Sequence, residues 1–416
     1  ARLTAEKLSE LKDVPGFAQV FLTPPERARS TAQRSGEGQP FEPSPNRPQR
    51  SDLPLPGEGE DVVPPEGATL RQSALAATLE QLAHAGLKDF YRGDIGREIA
   101  GDLDRIGSPL TRPDLERYRA VVREPLQIRL AAGTVYNTPP PTQGVASLMI
   151  LALFEQLGVR EAESFEHVHG IVEATKRAFR VRDRYVTDYD RLPFPAGRLL
   201  QPEFLAAEAA KIDMRRAAPW PPRKGEGDTI WMGAADASGL VVSYIQSLYW
   251  EFGSGCVLPR TGVLMQNRGA SFSLDPKAVN PLQPGRKPFH TLNPALAALA
   301  DGRMMAYGTM GGDGQPQSQA AVFTRHVLYG QPLDEALDRP RWLLGRTWGS
   351  TVTNLRLEAR FPDRLVEALL AAGHDAERIE EPYSDTMGHA GAVVLHPAGT
   401  LEGGHDPRAD GGAAGV

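Results

Sequence analysis

The residues best suited to chemistry in this sequence lie at a junction in mid-chain, at Asp228 and Thr229. The run 219–228 is rich in Pro, Gly and charge, which predicts an exposed loop, and the residues from Thr229 onward predict a strand. A Thr that opens a strand is usually structural. If the chain is cut before Thr229, however, that residue carries a free α-amino group beside its hydroxyl. That residue then contains both the nucleophile and a base. The amine can act as the base because an α-amino pKa of about 7.7 to 8.0 is close to working pH.

Motifs that follow the junction support the interpretation of Thr229 as a nucleophile. A predicted hairpin, 229–246, is followed by the segments 252–255 (FGSG), 262–268 (GVLMQNR), 284–294 (PGRKPFHTLNP), 309–315 (TMGGDGQ) and 405–412 (HDPRADGG). Their order and spacing resemble the γ-glutamyltransferase family of N-terminal nucleophile hydrolases, and the resemblance covers nearly the whole chain. It implies a proenzyme that cleaves itself at the Asp228–Thr229 bond. The products would be a large subunit, 1–228, and a small subunit, 229–416, folded as one domain.

The fold class that the resemblance implies is α+β, the four-layer αββα sandwich of the N-terminal nucleophile hydrolases. It also implies a segment ahead of Ala1 that holds the first sheet strand and a substrate-binding arginine, so the sequence looks truncated at its start. Residues 24–67 are rich in Pro, Gly, Ser, Glu and Arg, a composition that predicts a disordered surface insertion.

Hydrophobic periodicity predicts the elements that must position the junction. Helical patterns dominate before Thr229 and alternating patterns after it. The apolar run 145–157 predicts a fully buried helix closed by Gly158. Other predicted helices span 165–185, 319–329 and 362–372, predicted strands span 126–130 and 303–309, and residues 391–395 and 401–403 predict a closing hairpin. Thr111 and Asp114 form an N-cap pattern that resembles a capping box.

Acyl transfer from an amide needs donors for the developing oxyanion as well as a nucleophile and a base. Gly311 and Gly312 follow a predicted strand and can expose backbone N–H groups, although a double glycine is more often only a turn. The family uses the matching pair as its oxyanion hole. Ser247 stands where relatives keep a hydroxyl that bonds the nucleophile, and the resemblance carries that role across.

The substrate pocket departs from the family pattern. The resemblance places Ser271 where relatives have an acidic residue for the substrate amino group, and His290 and Thr291 where they have two serines for the carboxylate. Tyr249 replaces an asparagine. Losing the acidic partner of an ammonium group disfavours a γ-glutamyl substrate, and the cationic or neutral set that includes Arg268 suits an acid without an amino group. Arg268 could equally form a structural ion pair.

Composition excludes several classes of function. The net charge of −6 with scattered basic residues gives no nucleic-acid footprint, and no segment predicts a membrane span or a leader. The single cysteine, Cys256, rules out a disulfide framework, and a buried structural thiol is its expected role. His167 and His169 point to different sides of a helix, so we expect no metal site. No cofactor is expected, and the absence of disulfides favours a cytoplasmic location.

The leading hypothesis is a self-cleaving, N-terminal-threonine amidohydrolase, because the motifs at 289–293 and 311–317 look most like the oxamate amidohydrolase branch of the family. Its partners would be a small amide substrate and its own cleaved subunits, as a heterodimer that could dimerise again. The alternatives are a γ-glutamyl hydrolase or transpeptidase acting on glutathione, a cephalosporin or glutaryl acylase, and an inactive, unprocessed scaffold.

Overall fold

The computed structural model describes residues 69–220, 228–345 and 354–415. The predicted insertion 24–67 and most of the predicted junction loop lie outside these ranges. Contacts divide the chain into two units, Ala1–Val121 with Phe252–Gln266 and Val122–Glu251 with Asn267–Val416. The subunit boundary predicted at Asp228–Thr229 is a different division of the chain and stays a prediction.

The described part of the first unit is helical. Its helices are α1 Ser73–Ala85, α2 Asp89–Arg92, α3 Asp94–Arg105 and α4 Arg112–Arg117. Ile95, Ile99 and Leu103 of α3 pack with Leu258, which belongs to the returning segment 252–266. The capping box predicted at the start of α4 is confirmed, since the Thr111 N–H donates to Oδ2 of Asp114 at 2.9 Å.

The second unit contains all the described strands and the larger hydrophobic core. The strands are β1 Leu126–Leu130, β2 Gly133–Asn137, β3 Asp228–Ala235, β4 Val241–Tyr249, β5 Ala295–Leu299, β6 Met304–Thr309, β7 Trp342–Leu344, β8 Leu355–Leu357, β9 Ala376–Arg378, β10 Ala390–Leu395 and β11 Leu401–His405. A six-stranded antiparallel sheet has the order β1-β2-β5-β6-β10-β11, while β3 and β4 form a separate hairpin. The short strands β7, β8 and β9 form a third sheet.

The helices of this unit are α5 Gly144–Gln156, α6 Phe165–Tyr185, α7 Pro202–Ala209, α8 Gly314–Phe323, α9 Leu333–Asp338 and α10 Asp363–Ala371. Helix α5 is buried over nearly its whole length, and α6 has the bounds that the sequence predicts, so both predictions are confirmed. Within the described ranges, none of the helices combines the length and the apolar character needed to cross a membrane.

The helix predicted at 319–329 was placed wrongly. Helix α8 begins five residues earlier, at Gly314, and residues Thr324–Leu328 form a π-helical turn after it. Gly314 and Pro316 look like helix breakers in sequence. Both lie in the first turn of α8, where a backbone N–H has no intrahelical acceptor and the missing N–H of Pro316 therefore costs nothing.

The hairpin β3–β4 packs on the six-stranded sheet through the indole of Trp231. Gly308 of β6 and Gly391 of β10 are cross-strand partners, and the indole lies over both. A Cβ added at Gly308 would overlap the pyrrole ring of Trp231, and one added at Gly391 would lie 2.7 Å from its Cζ3. Glycine in a strand often marks such a close approach. This contact fixes the position of the strand that contains Thr229.

The opposite face of the six-stranded sheet is covered by helices. Side chains alternate along β6, so Tyr307 points away from Trp231 and packs on Phe323 of α8, with ring centroids 5.5 Å apart. The described chain of this unit is therefore layered as helices, sheet and hairpin. The outer face of the hairpin is exposed, with Ile230 and Met232 at 56% and 46% of their full accessible area.

The segment 405–412 is held by buried ion pairs. Asp406 pairs with both Arg341 and Arg408, and its Oδ2 accepts the N–H of Ala390 at 2.7 Å. Arg408 also binds Glu358 at 2.6 Å. Because each buried charge has an opposite partner, this motif ties β10 and β11 to β7 and β8.

We predict that Gly308→Ala destabilises the protein by about 1 to 3 kcal/mol, the usual cost of overpacking, because the added methyl group overlaps Trp231. Thermal and denaturant unfolding of purified variants measures this loss. The matched control is Gly197→Ala, because a Cβ at that position meets no atom within 4 Å. Equal stability of the two variants would contradict the assigned contact.

Candidate active site

Thr229 lies at a bulge near the start of β3. Asp228 pairs with Tyr249 and Ile230 pairs with Gln246, so Thr229 faces two residues of β4, Ser247 and Leu248. Bulges re-aim side chains and are common beside active sites. Thr229 is 9% exposed, so its hydroxyl is largely shielded from water. The register places Ser247 across the ladder from Thr229, where the sequence predicts a hydroxyl. The predicted role of Ser247 stays a prediction, and its Oγ accepts the Tyr249 N–H at 2.8 Å.

The side chain of Gln315 contacts the predicted nucleophile. Its Nε2 donates to Oγ1 of Thr229 at 3.5 Å, and Gln315 is fully buried in the first turn of α8. Sequence reasoning quoted this glutamine in the motif 309–315 but gave it no role. The only available signal was its position three residues after Gly312, at the start of a helix whose first turn was not recognised.

Gly311 and Gly312 connect β6 to α8 and have backbone angles φ of 111° and 53°, which other residues rarely adopt. Two hydrogen bonds fix the adjacent peptide planes. Thr309 Oγ1 donates to the carbonyl of Met310 at 2.9 Å, and the Gly314 N–H donates to that of Gly311 at 2.7 Å. Since a trans peptide points its N–H opposite to its carbonyl, the directions of the Gly311 and Gly312 N–H groups are also fixed. Neither N–H has an acceptor among the described residues. Both can therefore donate to an oxyanion.

The fully buried side chain of Gln143, at the N-terminus of α5, joins this glycine pair to the predicted substrate residues. Its Nε2 donates to the carbonyls of Gly312 and Thr291, each at 2.8 Å. Its Oε1 accepts from Arg182 at 2.7 Å, and the same Arg182 nitrogen binds Asp313. One amide group thus sets the separation of two segments that are far apart in sequence.

His290 and Thr291 present polar atoms that have no hydrogen-bond partner among the described residues. These atoms are Nδ1 of His290 and Oγ1 of Thr291, and both are buried. The backbone of His290 is anchored, because its N–H donates to the carbonyl of Pro141 at 3.1 Å. Burial, together with the charges of Arg268 and Lys287, lowers the pKa of His290 to about 3, so the imidazole is neutral at neutral pH.

Arg268 lies beside Tyr249 and close enough to His290 to act on its charge, and we call Arg268, His290 and Thr291 the predicted substrate wall. The guanidinium lies over the Tyr249 ring, 4.5 Å from its centroid, and burial lowers the pKa of Arg268 to about 10, which leaves it charged at neutral pH. Tyr249 has a φ of 86°, a strained value for a residue with a large side chain, and such strain concentrates at functional sites. Ser271 Oγ donates to the carbonyl of Phe289 at 2.6 Å, which ties Arg268 and its helical turn to the segment before His290.

These contacts form a closed circuit through most of the residues that the sequence predicts for the site. It runs from Thr229 through Gln315, Gly312 and Gln143 to Thr291, and returns through Ser271, Arg268 and Tyr249 to the partner of Asp228 in the ladder. The structure therefore brings most of the predicted residues together. Their catalytic and binding roles remain predictions.

One cluster of possible metal ligands occurs among the described residues, formed by His169, Glu173 and His374. Its atoms already bind one another and their neighbours. His169 Nδ1 and His374 Nε2 are 2.8 Å apart, His169 Nε2 donates to the carbonyl of Asp213, and Glu173 pairs with Lys176 at 2.7 Å. His167 instead binds Thr324 elsewhere, as expected for the other side of the helix. The cluster, with an ammonium group inside it, is best explained as a hydrogen-bond network.

A groove of about 400 Å³ also lies on the second unit, lined by β1, β2, α5 and α7. Its walls include Gln127, Arg129, Tyr136, Glu155 and Leu205. None of the predicted site residues lines it. We give it no catalytic role, because the predicted nucleophile and the predicted oxyanion donors lie elsewhere.

Comparison with known proteins identifies the family of this chain. The family model described as Gamma-glutamyltranspeptidase matches residues 30–416. The oxamate amidohydrolase proenzyme of Klebsiella pneumoniae is 48% identical over 415 residues, which is 100% of this chain and 72% of that protein. The glutathione hydrolase-like YwrD proenzyme of Bacillus subtilis is 39% identical, over 85% of this chain and 67% of that protein.

Among solved structures, the cephalosporin acylase from Bacillus halodurans superposes with a TM-score of 0.77 at 32% identity. The superposition covers 85% of this chain and 64% of that one. The predicted fold class is thereby confirmed, and so is the prediction that the chain is an enzyme of the γ-glutamyltransferase-like, N-terminal nucleophile type. The chain belongs to the gamma-glutamyltranspeptidase family of N-terminal nucleophile hydrolases.

Proposed function

We propose that this protein is a self-cleaving amidohydrolase that uses Thr229 to hydrolyse the amide of a small acid lacking an amino group, with oxamate as its substrate. Cleavage between Asp228 and Thr229 would yield subunits 1–228 and 229–416. The word proenzyme in the relatives' names supports such processing. The products of the reaction would be oxalate and ammonia.

The observation that carries the proposal is the set of polar atoms on the predicted substrate wall. The charged guanidinium of Arg268 acts electrostatically on His290, and Nδ1 of His290 and Oγ1 of Thr291 are buried without partners among the described residues. Buried polar atoms without partners cost free energy, so they indicate a ligand. A carboxylate beside Arg268 would satisfy them. Ser271 offers only a hydroxyl, already engaged with the Phe289 carbonyl, where a substrate ammonium would need a carboxylate.

The proposed mechanism has two halves. Oγ1 of Thr229 attacks the amide carbon, and the α-amino group of the mature residue takes its proton and passes it to the leaving ammonia. The N–H groups of Gly311 and Gly312 stabilise the oxyanion, a contribution typically worth about 10²- to 10³-fold in turnover for each donor. Water then hydrolyses the oxalyl ester of Thr229. An acylase of glutaryl side chains is the second candidate, because an acid without an amino group fits the same wall.

We predict that Thr229→Ala abolishes both self-cleavage and turnover, because the variant has no nucleophile, whereas Thr229→Ser retains part of each. Denaturing gels with N-terminal sequencing follow cleavage, and ammonia release from oxamate follows turnover. Thr134→Ala, a change within β2, should mature and react normally. An alanine variant that still matures, or a small subunit that begins at another residue, refutes the assignment.

We predict that Arg268→Gln lowers kcat/KM for oxamate by about 10- to 100-fold, the usual effect of losing a charged hydrogen bond. Oxamide, its neutral diamide analogue, should be hydrolysed equally well by both proteins. Substrate competition assays on fully matured protein measure this difference. Equal losses with the two substrates would show that Arg268 supports the fold only, and faster wild-type hydrolysis of a γ-glutamyl anilide than of oxamate would exclude the proposed substrate class.

A further inference from the structure

Four buried glutamines lie at the N-terminus of α5 or within α8, and one of them differs from the other three. Gln143, Gln317 and Gln319 bond to the surrounding fold through both ends of their side-chain amides. Gln317, for example, donates to the carbonyl of Leu344 at 2.9 Å and accepts its N–H at 2.8 Å. Such amides stabilise the structure, because each buried polar atom is paired.

Gln315 is as deeply buried as these three, yet its side chain has one partner among the described residues, which is Oγ1 of Thr229. Its Oε1 has none. A buried amide with an unpaired oxygen is unfavourable for stability compared with an apolar side chain of the same size. Packing therefore does not explain a glutamine at this position, and the remaining explanation is its contact with the nucleophile oxygen.

We propose that Gln315 is a catalytic residue whose Nε2 donates a hydrogen bond to Oγ1 of Thr229 and thereby promotes hydrolysis of the acyl-enzyme. This inference rests on the function proposed above, in which Thr229 is acylated. The donor stabilises Oγ1 when negative charge develops on it, and that happens when the ester bond breaks.

The chemical step is the second half of the reaction. The oxygen of water bonds to the acyl carbon, and the bond from that carbon to Oγ1 breaks with its electron pair moving to Oγ1. The proton of the attacking water reaches Oγ1 through the α-amino group of Thr229. In the first half the leaving group is ammonia, and the step that expels it places no negative charge on Oγ1, so a donor at Oγ1 gives little assistance to that step. The two halves therefore depend on Gln315 in different ways.

Self-cleavage contains the same step. Attack of Oγ1 on the carbonyl of Asp228 produces an ester between residues 228 and 229, and water must then expel Oγ1 from that ester. Gln315 serves this hydrolysis in the same way as it serves turnover. The contact in the structure belongs to the uncut chain, in which Asp228 and Thr229 are consecutive residues of β3, so the donor is in place before the first cleavage.

The test compares Gln315→Met with wild type in the full chain. We expect kcat for oxamate to fall by about 10- to 100-fold with KM falling in proportion, so that kcat/KM changes by less than about threefold. Intact mass spectrometry should show the oxalyl adduct on the small subunit. Precursor cleavage should slow by a similar factor, so that the ester accumulates before maturation is complete, and hydroxylamine, which cleaves esters, should release the two fragments. If the methionine variant does not fold, Gln315→Glu replaces it in the test. This variant keeps the size of the side chain but loses the donor when ionised, so we expect the same kinetic and mass-spectrometric results.

The matched control is Gln319→Met, a change of the same chemistry in the same helix. It removes partners from Ser147 and the Asn293 carbonyl, so it should lower the melting temperature and leave kcat and the acylated fraction unchanged. A fall in kcat/KM for Gln315→Met without an adduct would overturn the proposal. If wild type matures but does not hydrolyse oxamate, the proposed substrate is wrong and the hydroxylamine experiment still decides the role of Gln315. If it does not cleave at Thr229, both proposals are wrong.

Discussion

The contact on which the candidate site depends is that of the Trp231 indole with the paired glycines Gly308 and Gly391. It sets how closely the β3–β4 hairpin lies on the six-stranded sheet. Thr229 precedes Trp231 by two residues on β3, and Gly311 follows the end of β6, the strand that holds Gly308. The distance between the predicted nucleophile and the predicted oxyanion donors is therefore set by an apolar contact, since the absence of two Cβ atoms lets the indole approach the backbone.

A second constraint is the set of amide hydrogen bonds around the glycine pair. Gln143 couples the Gly312 carbonyl to the Thr291 carbonyl, and this coupling joins the predicted oxyanion donors to the predicted substrate wall. Neutral amides suit this position because they can donate and accept at once without adding a charge. Arg182, which bonds to Gln143, is paired with Asp313, and the His290 imidazole is kept neutral by its surroundings. Preorganised dipoles of this kind need little rearrangement during a reaction.

Much of the fold could be predicted from sequence, because most elements have a strong period or clear end signals. Helix α6 has the predicted bounds, and the buried helix α5 was identified from one continuous apolar run. The start of helix α8 was predicted wrongly because Gly and Pro disfavour the interior of a helix but are tolerated in its first turn, where Gly314 and Pro316 lie. The predicted insertion 24–67 lies outside the described residues. Periodicity describes single elements, and it does not specify the register that places a bulge at Thr229.

The residues of the candidate site were predicted through family motifs rather than through local patterns. Those motifs predicted the nucleophile, the glycine pair and the substrate wall, and most of these residues belong to one circuit of contacts in the structure. Gln143 and Gln315 were missed, since the sequence alone does not show whether a glutamine is buried or exposed. Their importance depends on partners that are far away in sequence, since Gln143 is 169 residues from Gly312 and Gln315 is 86 residues from Thr229. Such long-range pairs follow from the sheet topology and have no local signal.

The bulge at Thr229 has a mechanical consequence for a chain that is to be cut there. Six residue pairs, from Ile230 with Gln246 to Ala235 with Val241, lie beyond it on the hairpin side, and one pair, Asp228 with Tyr249, lies before it. Cleavage of the backbone at this place separates one residue pair from the other six. The new N-terminus would stay paired with β4 through six residues, while the new C-terminus, paired through one residue, could move away and make room for an incoming molecule.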